Sequence, residues 1–126
     1  MMVQEQTQTY RILWVSRHSP LDCQIKELER IFGNVDIFTY INPFKSAEEI
    51  VDFYRKENFD DMLIVAPLSV IQKITEHGIY PLWAEMKVVE NKEEADTEAS
   101  GRYYKFIGFK RIKEVKIIYE DLNSKV

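Results

Sequence analysis

The stretch ILWVSRHSPLD, residues 12–22, decides the fold class because it carries an apolar strand directly into a polar turn and then into a helix start. The apolar run begins at Tyr10 and has the length of a buried strand. Ser19 can cap a helix, and Pro20 fits the first helical position. Apolar residues then recur at helical spacing until Gly33, a residue typical of helix ends. We therefore predict a strand, a short turn and an amphipathic helix.

The same succession occurs twice more along the chain. The strand-like run VDIFTYI, residues 35–41, precedes a capping box that begins at Ser46, and the run MLIVAP, residues 62–67, precedes another that begins at Ser69. The first and third runs are almost free of charge along their centres, as strands covered on both faces are, whereas the second carries Asp36 and suits a sheet edge. Strands that alternate with helices form parallel sheets. The predicted architecture is an α/β fold, a Rossmann-like or flavodoxin-like three-layer sandwich with parallel strands in the order 2-1-3(-4).

The C-terminal third of the chain has a different pattern. The runs LWAEMKVVE (82–90), YYKFIGF (103–109) and EVKIIYE (114–120) mix apolar with charged residues and have no helices between them. This mixture is typical of strands with one wetter face, so we predict antiparallel strands that extend the sheet. The acidic, polar link over residues 91–101 is expected to be an exposed loop.

Length and composition limit the class of protein. A chain of 126 residues has the size of one domain, so we predict a single α/β domain over residues 10–126, preceded by a disordered or extended tail over residues 1–9. The one cysteine, Cys23, excludes an internal disulfide and fits a reducing compartment. The sequence has no signal-peptide or membrane-span pattern, so we expect a cytoplasmic protein without a membrane partner. A net charge of −4 argues against nucleic acid as a partner.

Familiar cofactor and metal sites lack their motifs in this sequence. The four glycines fall outside the strand-to-helix turns, which excludes a dinucleotide fingerprint and a P-loop. Four side chains could bind a metal, but their spacing in the sequence repeats no known pattern of metal ligands. They are His18, Asp22, Cys23 and His77. We predict no cofactor and no metal. Asp60 and Asp61 precede the third strand and are interpreted as serving its connecting turn.

The predicted strand order places a ligand crevice at the carboxyl ends of the first and third strands. Two helix starts with free backbone N–H groups, beside an arginine and a histidine, could hold a phosphate or a carboxylate there. The candidate ligand-binding residues are Ser16, Arg17, His18, Ser19, Pro67 and Ser69. Ser19 and Ser69 also fit a purely structural role as helix caps. A short turn, in contrast, does not itself require two bulky basic side chains such as Arg17 and His18.

The stretch VSRHSP, residues 15–20, is similar to the Arg-His-Gly signature of histidine phosphatases, whose histidine accepts a phosphoryl group. The resemblance implies His18 as a catalytic candidate, but Ser19 stands where that family has glycine. Our leading hypothesis is a non-catalytic binding or regulatory module for a small anionic, nucleotide-like ligand. One alternative is a homodimeric protein-interaction module that pairs through the C-terminal strands. Another is a hydrolase or phosphotransfer enzyme that uses His18.

Overall fold

The computed structural model describes residues 8–123, which form a mixed α/β fold with one sheet of six strands and three helices. The strands are β1 Tyr10–Val15, β2 Val35–Tyr40, β3 Asp61–Ile64, β4 Leu82–Val89, β5 Thr97–Ala99 and β6 Arg102–Arg111. The helices are α1 Asp22–Phe32, α2 Ala47–Lys56 and α3 Leu68–Glu76. Within the described part of the chain, none of these helices has the length and apolar character needed to cross a membrane.

The sheet has the strand order β2-β1-β3-β4-β6-β5. β1 pairs in parallel with β2 on one side and with β3 on the other, so that Trp14 lies between Thr39 and Leu63. The parallel pairing of β3 with β4 is short, and β6 and β5 then add antiparallel strands. The predicted order 2-1-3-4 with antiparallel C-terminal strands is confirmed, and β2 is the edge strand that its polar residues predicted.

Alternate side chains of β1 enter two separate hydrophobic clusters. Leu13 and Val15 pack with residues of α2 and α3, whereas Ile12 and Trp14 pack with Leu28 of α1. Successive side chains of a strand point to opposite faces, so an uncharged strand can be buried on both sides at once. All four of these β1 residues are buried. The apolar run therefore lies at the centre of the fold, as its composition predicted.

The prediction of a strand over residues 114–120 is wrong. Residues 112–123 form no helix or strand, and the place beside β6 is taken by β5. β5 arises inside the segment 91–101, where the sequence predicted only a loop, and it follows a short 3-10 turn over Lys92–Glu94. Asp96, directly before β5, already bonds to β6. Its backbone N–H donates to the Tyr104 carbonyl and its carboxylate accepts from the Phe106 N–H, each at 2.8 Å.

Two of the three predicted helix caps are also wrong. α1 begins at Asp22 rather than at Pro20, and Ser19 does not cap it. Instead, the Gln24 side chain accepts a hydrogen bond from the Leu21 N–H at 2.8 Å. α3 begins one residue before Ser69, with Pro67 at the cap position. The third prediction is confirmed, since the Ser46 hydroxyl accepts from the Glu49 N–H at the start of α2.

Candidate ligand-binding site

A pocket of about 270 Å³ opens at the carboxyl ends of β1, β2 and β3. Each strand contributes the residues at its end or just beyond it. The lining residues are Val15, Ser16, Arg17, Tyr40, Ile41, Asn42, Pro43, Phe44, Val65, Ala66 and Pro67. Open α/β sheets bind their ligands outside the carboxyl ends of the strands, where the chain leaves neighbouring strands toward different helices. The pocket lies where the predicted strand order placed a crevice.

Hydrogen bonds at the ends of β1 and β3 fix the floor of this pocket. The Val65 N–H donates to the Val15 carbonyl at 2.9 Å, which continues the strand pairing by one residue. The Ser16 side chain is buried, and its hydroxyl oxygen accepts from the His18 N–H at 3.1 Å. A serine that bonds a backbone N–H two residues later closes a tight turn. The turn brings Arg17 to the exposed rim of the pocket.

Arg17 is the one charged residue among the described residues that line the pocket. Its side chain takes part in no hydrogen bond or ion pair within residues 8–123. A guanidinium remains charged at every accessible pH and presents donors that match a phosphate or a carboxylate. The pocket is therefore electrostatically suited to an anion.

Most of the other residues that line the pocket are apolar or aromatic. Tyr40 and Phe44 are half-buried and pack against the cluster that contains α2 and α3. Ile41 and Val65 are 62% and 66% exposed at the rim. A pocket with apolar walls and a few polar groups is typical of small-molecule sites. The aromatic wall suits a planar ring.

The predicted site residues separate into two groups. Ser16, Arg17 and Pro67 line the pocket, whereas His18, Ser19 and Ser69 do not. Trp14 provides the physical reason at the first turn, because its indole N–H donates to the His18 carbonyl at 2.8 Å. The buried Trp14 belongs to the α1 cluster, so this bond draws the backbone of His18 toward the α1 side of the sheet.

At the other turn, Ser69 is an exposed residue of the first turn of α3. His77 lies at the far end of the same helix. Its Nε2 is 3.9 Å from a Glu48 carboxylate oxygen, and its backbone carbonyl accepts from Arg55 at 2.7 Å. His77 thus links α2 with α3 at the C-terminal end of α3, and it does not line the pocket.

The loop after β2 lines more of the pocket than the sequence predicted. Residues 40–44 supply five of the lining residues, although none of them is among the candidate ligand-binding residues predicted from the sequence. A usable signal was present in its composition. An aromatic pair around Asn42 and Pro43, directly after an edge strand, is more than a simple connection requires.

A second polar cluster lies at the opposite end of the strands, and its centre is Asp61. The Asp61 side chain is buried, forms two contacts of 2.7 and 2.9 Å with the Arg111 guanidinium, and accepts from the Tyr10 hydroxyl at 2.8 Å. Burial and the hydrogen bond to the Asp61 carboxylate raise the pKa of Tyr10. The hydrogen bonds to Asp61 likewise raise the pKa of Arg111. The interpretation of Asp61 as a turn residue is wrong, because it joins β1, β3 and β6.

Two features of the sequence remain, the single cysteine and the possible metal ligands. Cys23 is half-buried in α1, and burial raises the pKa of its thiol, which lowers the fraction of reactive thiolate. Within residues 8–123, no group of three or more histidine, cysteine, aspartate or glutamate side chains could hold a metal ion. No family model matches the chain, and it has no match among curated proteins or solved structures.

Proposed function

We propose that this protein is a binding or regulatory module that takes a small anionic, nucleotide-like ligand in the pocket at the ends of β1, β2 and β3. The observation that carries the proposal is the position of Arg17, a cation without a partner among residues 8–123, which lines a pocket of about 270 Å³ together with Tyr40 and Phe44. The proposal includes a Rossmann-like, flavodoxin-like three-layer arrangement, in which such a pocket is the usual ligand site. It also includes a cytoplasmic location, which the single cysteine favours.

Each part of the pocket has a role in this proposal. Arg17 pairs with the phosphate through charge-assisted hydrogen bonds. Tyr40 and Phe44 contact the face of the base, and Asn42 offers an amide that can both donate and accept. The volume is close to the lower end of the range of about 300–1,000 Å³ for small-molecule pockets, so a mononucleotide fits the proposal better than a dinucleotide.

Titration calorimetry with AMP, adenosine and inorganic phosphate tests this function. We expect AMP to bind more tightly than either part alone, because only AMP meets both Arg17 and the aromatic wall. Arg17→Ala should weaken AMP binding about tenfold or more and leave adenosine binding nearly unchanged. Lys26→Ala is the matched control, since it removes one exposed cation from α1, outside the pocket.

Two outcomes would contradict the proposal. One is that none of the three probes binds the wild-type protein, and the other is that Arg17→Ala binds AMP as well as the wild type does. The hydrolase or phosphotransfer alternative is a separate prediction, and no contact of His18 in the structure adds to it. Turnover of a phosphate monoester that disappears in His18→Ala would support that alternative in place of the binding module.

A further inference from the structure

Residues 113–123, the C-terminal segment, follow β6 and leave the sheet. The last backbone hydrogen bond before it runs from the Ile112 N–H to the Pro81 carbonyl at 2.8 Å. Among the described residues, no backbone hydrogen bond involves the C-terminal segment. Its first half is held by side chains, because Val115 packs against the core and Lys113 lies over the Tyr80 ring at 5.3 Å.

The second half of the segment exposes apolar side chains. Ile117 is 61% exposed, Ile118 86%, Tyr119 78% and Leu122 93%. Four large apolar residues within six positions, with no backbone hydrogen bond to any other part of residues 8–123, are a template for pairing with another chain. The homodimer alternative predicted pairing through the C-terminal strands, of which β6 already pairs with β4 and β5. The C-terminal segment pairs with no strand among residues 8–123.

From the order of residues in the segment we infer that it pairs with the same segment of a second copy, as a two-fold antiparallel ribbon centred on Ile118. In this register Lys116 lies opposite Glu120 of the second copy, Ile117 lies opposite Tyr119, and Ile118 lies opposite itself. The sequence KIIYE is thus complementary to itself in charge and in hydrophobicity. An interface between identical chains about a two-fold axis requires this property.

The alternatives in register are less favourable. A shift of one residue in one direction places Ile117 opposite Glu120, and a shift in the other direction places Tyr119 opposite Lys116. Opposite charges and apolar pairs across strands stabilise a ribbon, whereas these mixed pairs do not. The centred register also gathers Ile117 and Tyr119 of both copies on one face, and Ile117 lines a surface pocket together with Gln72 and Glu76 of α3.

The expected dimer is weak. Five residues from each chain bury much less than the roughly 1,600 Å² of a standard interface, so we expect a dissociation constant above about 1 µM. Sedimentation equilibrium over a range of protein concentrations should therefore show a monomer that converts to a dimer as concentration rises.

Charge reversal tests the register. Lys116→Glu places Glu opposite Glu120 at both ends of the ribbon, and Glu120→Lys places Lys opposite Lys116. Each single change should weaken the dimer about tenfold, because both symmetric pairs become repulsive, and the double variant should restore it. All these side chains are exposed, so the variants should keep the wild-type fold, which circular dichroism would verify.

Cross-linking gives a second, independent readout. Ile118→Cys should form an intermolecular disulfide on mild oxidation, since directly opposed Cα atoms in an antiparallel pair are about 4.5–5.5 Å apart, within disulfide range. Leu122→Cys, at a still more exposed position, is the control and should cross-link more slowly because it faces Glu114. A wild-type monomer at every concentration, a dimer that both charge reversals leave unchanged, or equal cross-linking at the two positions would each overturn the inference.

Discussion

Asp61 shows how one buried side chain can hold strands of different direction together. It lies in β3, and its partners Tyr10 and Arg111 belong to the neighbouring parallel strand β1 and to the antiparallel strand β6. The Oδ1 atom of Asp61 also accepts a hydrogen bond from the Met62 N–H at 2.9 Å. A buried carboxylate is tolerated only when such partners satisfy it. The pairing of β3 with β4 is short, so this cluster supplies a further connection across the sheet.

Asp61→Asn should destabilise the fold by about 3 kcal/mol, because it leaves the Arg111 guanidinium without its counter-charge in a partly buried position. The free energy of unfolding in urea measures the change. Asp60→Asn is the matched control. Asp60 is exposed and accepts only from the Arg11 N–H, so we expect a loss of about 1 kcal/mol or less. Equal losses for the two variants would contradict the assigned role.

Tyr10 should make stability fall at alkaline pH. Its pKa is raised in the folded state above the ordinary value of about 10, chiefly by burial and then by Asp61. The unfolded chain therefore releases the proton at lower pH than the native state, and the free energy of unfolding declines as pH rises above about 10. Below about pH 10 the contribution of Tyr10 to the free energy of unfolding is fully present.

Urea midpoints compared between about pH 9 and pH 11 measure this decline. Tyr10→Phe should reduce the decline without abolishing it, because burial also raises the pKa of Tyr54. Tyr119→Phe, at an exposed position, should decline as the wild type does when the protein is dilute. A Tyr10→Phe variant with the full wild-type decline would show that another group is responsible.

At the scale of elements, the start of α1 depends on Gln24 rather than on Ser19. The Gln24 side chain is buried, accepts from the Leu21 N–H and lies 3.8 Å from the Met86 sulfur of β4. It therefore ends the six-residue turn after β1 and also joins α1 to the sheet. A short polar turn with a serine predicted a different cap, because sequence alone does not show how far the chain must travel before α1 can pack.

Gln24→Ala should cost about 1–2 kcal/mol, since it leaves the Leu21 N–H without its acceptor and removes a buried side chain. Ser19→Ala should change stability by less than about 0.5 kcal/mol, because Ser19 is exposed and caps nothing. Thermal or urea unfolding of the two variants distinguishes them. A larger loss in Ser19→Ala would restore the cap that the sequence predicted.

At the scale of the whole molecule, the topology creates the pocket. β1 lies between β2 and β3, and its side chains alternate between two clusters that contain different helices. The connection after β1 leads to the cluster that contains α1, whereas the connections after β2 and β3 lead to the cluster that contains α2 and α3, and the pocket opens between them. The Asp61 cluster lies at the other end of the same strands, so a defect in stability and a defect in ligand binding should separate cleanly between variants.

The sequence by itself determined the alternation of strands and helices, the central place of the charge-free runs and the end of the sheet at which a pocket opens. These features follow from periodicity and burial, which are local properties of the chain. Tertiary structure alone decided that β5 forms within residues 91–101, that residues 114–120 leave the sheet, and that Tyr40 and Phe44 line the pocket with Arg17 while His18 does not. Each of these depends on tertiary packing that no local pattern encodes, because β6 pairs with β4 before β5 can join it, and the Trp14 indole that holds the His18 carbonyl is itself buried against α1.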